Sequence, residues 1–74
     1  MASERTYDVV LEPQPESGYT AYVPDLPGCV SEGATKEEAL AMIKKAIELY
    51  LESLHAHGDP VPEPVVRERV TVAA

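Results

Sequence analysis

Residues 35–58, TKEEALAMIKKAIELYLESLHAHG, are the stretch whose reading decides the fold. Thr35 followed three residues later by Glu38 forms a capping box: the hydroxyl accepts from an early backbone N–H, and the carboxylate reaches back toward the Thr35 N–H. Leu40, Ile43, Ile47, Leu51 and Leu54 recur at steps of three and four, which sets them on one helical stripe. Ala39, Ala46 and Tyr50 widen that stripe, while Lys44, Lys45, Glu48 and Glu52 take much of the remaining surface. Gly58 stands where a left-handed residue ends a helix, and Pro60 stops the helix from resuming. The rest of the chain is expected to cover the stripe.

Working outward toward the N-terminus, the segment 29–33 is short and roughly alternating, a third strand leading into the cap. Before it, Pro24-Asp25-Leu26-Pro27-Gly28 reads as a rigid surface turn, because two prolines remove donors and glycine permits a positive φ. The segment 19–23 places Tyr19, Ala21 and Val23 on one face, with Thr20 and Tyr22 opposite. The segment 5–12 places Tyr7, Val9 and Leu11 together, against Thr6, Asp8 and Glu12. The polar run 13–18 joins these two segments as an antiparallel hairpin. Residues 1–3 are expected to fray.

Beyond the helix, residues 59–64 include three prolines in six positions and read as an extended connector. The segment 65–72 is β-branched at five of eight positions and is expected as a fourth strand, completing the sheet or pairing with a second subunit. Its alternation groups Val66, Glu68, Val70 and Val72 against Arg67, Arg69 and Thr71. Residues 1–74 therefore read as a single α+β domain: a three- or four-stranded antiparallel-type sheet with one long helix on one face, in the order β-β-β-α-β.

With 74 residues and one cysteine, Cys29, the chain has a small core and no means of making an intramolecular disulfide. Self-association into a homodimer or larger assembly is the expected supplement. No leader or long apolar run is visible, and the lone thiol fits the cytoplasm. The net charge of −7 falls mostly on the first 34 residues, which carry −5. Such a surface repels phosphate backbones, so direct nucleic-acid binding is not expected; a basic protein is the better-matched partner.

The order of turns carries a resemblance. Gly18-Tyr19-Thr20-Ala21-Tyr22-Val23-Pro24-Asp25-Leu26-Pro27-Gly28-Cys29, then Ser31-Glu32-Gly33-Ala34-Thr35, Glu37-Glu38-Ala39-Leu40 and the later Val61-Pro62-Glu63-Pro64, resemble the HicB-like antitoxin family across roughly residues 6–66. The resemblance implies a partial RNase H-like fold and a type II toxin–antitoxin role, in which the chain binds and neutralises a small basic RNA-cleaving toxin of the HicA type. It implies no catalytic residues. Many members carry a further DNA-binding segment, and the chain departs from them by stopping at Ala74.

Reactive constellations are weak. Cys29 has Asp25 and Glu32 for neighbours in sequence rather than a positive field, so a structural thiol is expected. Glu52 and His55 have the Glu-x-x-His spacing of carboxylate metal sites, which need a second such motif; a solvated helix end is the plainer reading. Asp8, Asp25 and Glu32 imitate the carboxylates of a nuclease site in type only. Arg67 and Arg69 are expected to pair with acidic neighbours rather than grip phosphate. Neither a metal nor a cofactor is expected, and the chain reads as a binding protein rather than an enzyme. Two other classes stay open: a small metal-dependent hydrolase on an RNase H-like scaffold, and a self-assembling module with no toxin. Tyr22, Asp25 and Glu32 are the expected partner-binding residues, Tyr22 because tyrosine is over-represented at interfaces.

Overall fold

The computed structural model describes residues 5–66 and 68–73. Three antiparallel strands, β1 (Val10–Pro13), β2 (Tyr19–Tyr22) and β3 (Val30–Gly33), are followed by one helix, α1 (Lys36–His57). The sheet order is β1-β2-β3. Leu11 stands opposite Ala21, and Ala21 opposite Ser31, so these residues share the face turned to the helix. Period-two alternation then sends Val10, Tyr22 and Val30, with Glu12, Thr20 and Glu32, to the outer face.

Both helix ends are capped at the residues the sequence marks, although of the expected capping box only the Thr35 hydroxyl half forms. The Thr35 hydroxyl accepts the Glu38 N–H at 3.1 Å. Gly58 takes a φ of 69°, and the Gly58 and Asp59 amides donate to the His55 and Leu54 carbonyls at 3.1 and 2.9 Å, a Schellman closure. Glu37 and Glu38 in the first turn and His55 and His57 in the last match the helix dipole.

The core is Ala21, Val23, Leu26, Cys29, Ala39 and Ile43, flanked by Tyr7, Val9, Leu11, Tyr19, Ala46, Ile47, Tyr50 and Leu51. Its helix stripe is turned relative to expectation: Ala39 is fully buried, whereas Leu40 is 42% exposed. Gly33 explains the rotation. A Cβ at Gly33 would overlap the Ala39 backbone nitrogen, so β3 and the first helical turn meet backbone to backbone at these two small residues. That contact directs Ala39 inward and leaves Leu40 on the flank.

The 24–28 segment is more than a surface turn. The Val23 carbonyl accepts from the Leu26 N–H at 3.1 Å, and the Leu26 carbonyl accepts from the Cys29 N–H at 3.0 Å. These are two successive β-turns, each with proline at its second position; Gly28, at a φ of 83°, supplies the positive angle of the second. The path of the turns drives Leu26 into the core with no exposed surface.

Two strand expectations are corrected. The first ladder starts at Val10, not Arg5, although Tyr7 and Val9 pack against the core as their alternation demands. Among the described residues no strand follows the helix, and residues 65, 66 and 68–73 belong to no ladder there. Valine content supplies strand propensity but no partner edge, and Val66, Val70 and Val72 are 86, 79 and 75% exposed. The molecule is correspondingly elongated, with a radius of gyration of 14.6 Å against about 11 Å for a compact chain of this length. Residues 1–3, expected to fray, and Arg67 lie outside the described residues.

Candidate functional site

The outer face of the sheet brings two acids of the N-terminal half, Glu12 and Glu32, to one place. Register sets Glu12, Thr20 and Glu32 in a row across β1, β2 and β3, beside a second row of Val10, Tyr22 and Val30. Both glutamates are exposed. They flank one intervening strand, so their backbones stand about 10 Å apart. Thr20 is fixed between them by the Gln14 side-chain amide, which donates to its hydroxyl at 2.8 Å. Tyr22 is half-buried and Val30 is 55% exposed, which adds an apolar patch next to the acidic row.

Of the three residues expected to meet a partner, Tyr22 and Glu32 share this face. Asp25 does not. It is 7% exposed in the double turn, and its Oδ1 accepts the Val65 N–H at 2.9 Å. That bond ties the start of the tail to the β2–β3 connection. Local pattern gives no sign of it, because the two residues are forty positions apart. Sequence reasoning misses Glu12 for the same kind of reason. Alternation predicts its exposure, but its place beside Glu32 depends on two strand registers.

A second surface feature lies on the helix side. The helix rests on β2 and β3, leaving a groove of about 490 Å³ between its flank and the segment before β1. Tyr7, Val9, Leu40, Ile43, Ile47 and Leu51 make the groove apolar, and Arg5, Lys44 and Glu48 supply its charges.

The reactive candidates are separated. Cys29 is 4% exposed, and burial pushes its thiol above the ordinary 9.0, so it stays protonated at neutral pH. His57 is engaged with its own helix end, its Nδ1 lying 2.7 Å from the Ser53 carbonyl. His55 and Glu52 are exposed on the last turns. Among the described residues no three of His, Cys, Asp and Glu gather in a way that holds a metal ion, and Asp8, Asp25 and Glu32 do not converge. No described helix is long and apolar enough to cross a membrane.

Fold and surface together define a small α+β domain that presents an acidic sheet face on one side and an apolar groove on the other. The model of the HicB-like antitoxins of bacterial toxin–antitoxin systems matches residues 7–73. Among curated proteins, a UPF0150 protein of Thermoplasma acidophilum is 43% identical, with 92% of this chain and 97% of that one aligned. A UPF0150 protein of Synechocystis sp. is 53% identical over 77% of this chain and 72% of that one. Antitoxin HicB 1 of Photorhabdus laumondii is 40% identical over 89% of this chain but 44% of its own, longer length. The chain belongs to the HicB-like antitoxin family.

Proposed function

We propose that this chain is the antitoxin of a type II toxin–antitoxin pair and that it binds and neutralises a small basic RNA-cleaving toxin of the HicA type. The observation that carries this reading is the row of Glu12, Thr20 and Glu32 beside Tyr22 on the outer sheet face of a HicB-like domain. A basic RNA-cleaving protein holds its substrate through phosphates. Two carboxylates held on a rigid sheet compete for the same cations, and Tyr22 and Val30 supply the apolar contact beside them. Asp25 serves the interface indirectly, by holding the tail root against the turn below that face.

The domain is a partial RNase H-like layout used as a binding scaffold, working without a cofactor or metal, as a homodimer or higher homo-oligomer in the cytoplasm. Its net charge of −7 argues against direct contact with nucleic acid. The test is RNA cleavage by the basic toxin in the presence of saturating chain. Cleavage should cease, and should return when Glu12 and Glu32 are both replaced by lysine. Undiminished cleavage in a saturated complex would sink the reading.

A further inference from the structure

The flank of α1 that faces the groove matches its own reverse. At about 100° per residue, the helical positions that fall on this flank are Glu37, Leu40, Lys44, Glu48, Leu51 and His55. The middle four line the groove, together with Arg5 and the apolar Tyr7, Val9 and Ile47. Glu37 and His55 extend the same stripe by a turn at either end, and both are exposed. Turned end for end about Ala46, the stripe lays Glu37 on His55, Leu40 on Leu51 and Lys44 on Glu48.

We propose that this flank is the interface of a two-fold homodimer, in which α1 of one copy lies antiparallel along α1 of a second across the two grooves. Two-fold symmetry makes every contact twice. Lys44 of each copy faces Glu48 of the other, and Leu40 packs on Leu51. Glu37 faces His55, whose imidazole can donate to a carboxylate. The charge inventory of groove and stripe supports the match: Arg5 and Lys44 stand against Glu37 and Glu48, which leaves this face neutral with the histidine neutral, in a chain of net charge −7. Two copies approach here without the repulsion that the acidic surface imposes elsewhere. The outer sheet face fails the same test, because pairing it with itself would gather Glu12 and Glu32 of both copies.

Apolar surface supplies the drive. Leu40 is 42% exposed, and Tyr7, Val9, Ile47 and Leu51 are only half-buried by their own chain. The cause is the seat of the helix on β2 and β3, which leaves the β1 side of the layer open. Leu40 and Leu51 of a second helix cover that opening from both ends. The stripe runs about 27 Å from Glu37 to His55, so the two helices meet over about five turns. The inference rests on the reading of the chain as a homo-oligomer and is independent of the toxin.

Sedimentation equilibrium of the full chain should show a dimer. Lys44→Glu and Glu48→Lys, each alone, should raise the dimer dissociation constant by about tenfold or more, because each sets like charges opposite one another at both symmetric contacts. Both positions are exposed, so helix content by circular dichroism should stay unchanged. The two variants mixed should form a heterodimer tighter than either homodimer, since the mixture restores opposite charges at both contacts. A chain carrying both changes should dimerise like the wild type. A monomer at millimolar concentration overturns the homo-oligomer reading and the interface together. A dimer indifferent to the two single changes, or a mixture no tighter than the single variants, overturns the interface alone.

Discussion

At the scale of single residues, Gly33 and Cys29 show how little room the core has. A methyl group on Gly33 has no space to enter, because the opposing atoms are the Ala39 and Glu38 backbone rather than a movable side chain. Gly33→Ala should therefore destabilise the fold by about 1–3 kcal/mol, read as a lower urea midpoint. Leu26, fully buried by the double turn, should cost about 2–5 kcal/mol when cut to alanine, more than an ordinary loop residue would. Cys29 carries a pH signature. Burial raises its folded pKa, so the folded state holds the proton longer than the unfolded state does. Its contribution is complete below the ordinary thiol value and is lost as pH climbs from there toward the folded pKa. Urea midpoints of the wild type and Cys29→Ala should thus run in parallel through neutral pH, and the wild type should fall faster above pH 9.0. Parallel curves at alkaline pH would contradict a buried thiol.

At the scale of elements, the helix is set by its ends, and among the described residues the Val65–Asp25 bond ties the tail to the β2–β3 connection. Thr35→Ala removes the acceptor of the Glu38 N–H and should cost about 1 kcal/mol, with helix content lowered mainly in the first turn. Asp25→Ala removes the acceptor of the Val65 N–H. Its effect should be seen first in the tail: faster hydrogen exchange at the Val65 amide and faster proteolysis beyond Pro64, with exchange in the middle of the helix little changed. An unchanged Val65 amide would show that the turn holds the tail by other means. Helix and hairpin are legible in the sequence because capping, periodicity and turn chemistry act within a few residues. The segment 65–72 does not complete the sheet among the described residues, because valine content reports propensity, whereas a strand exists only where an edge is offered to it. Periodicity misplaces the helix stripe by one flank residue for a related reason. Gly33 sets the rotation of the helix, and Gly33 lies outside it.

At the scale of the whole molecule, the outer sheet face carries Glu12 and Glu32, while the groove side mixes Arg5 and Lys44 with Glu48. A basic partner approaching this chain should bind faster at low salt, and replacing Glu12 and Glu32 by lysine should slow association more than it speeds dissociation. Stopped-flow mixing across a range of ionic strength checks this; a rate indifferent to salt would place the partner elsewhere. The antitoxin family is legible in the amino-acid order itself, because its marks are turn and cap residues that build the fold locally. The outer sheet face proposed to meet a partner is only half legible there. Alternation places Tyr22 and Glu32 on that face, Glu12 joins them through strand register, and Asp25 is buried in the turn.

By itself the sequence determined one capped helix, an acidic exterior and three short strands in series, since each follows from interactions between residues near one another in the chain. Only the tertiary structure decided which strand edge stays open, which helix flank is left bare, and that an aspartate in a turn grips a backbone amide forty residues away. Those outcomes depend on how rigid pieces pack, and packing joins residues that no periodicity links.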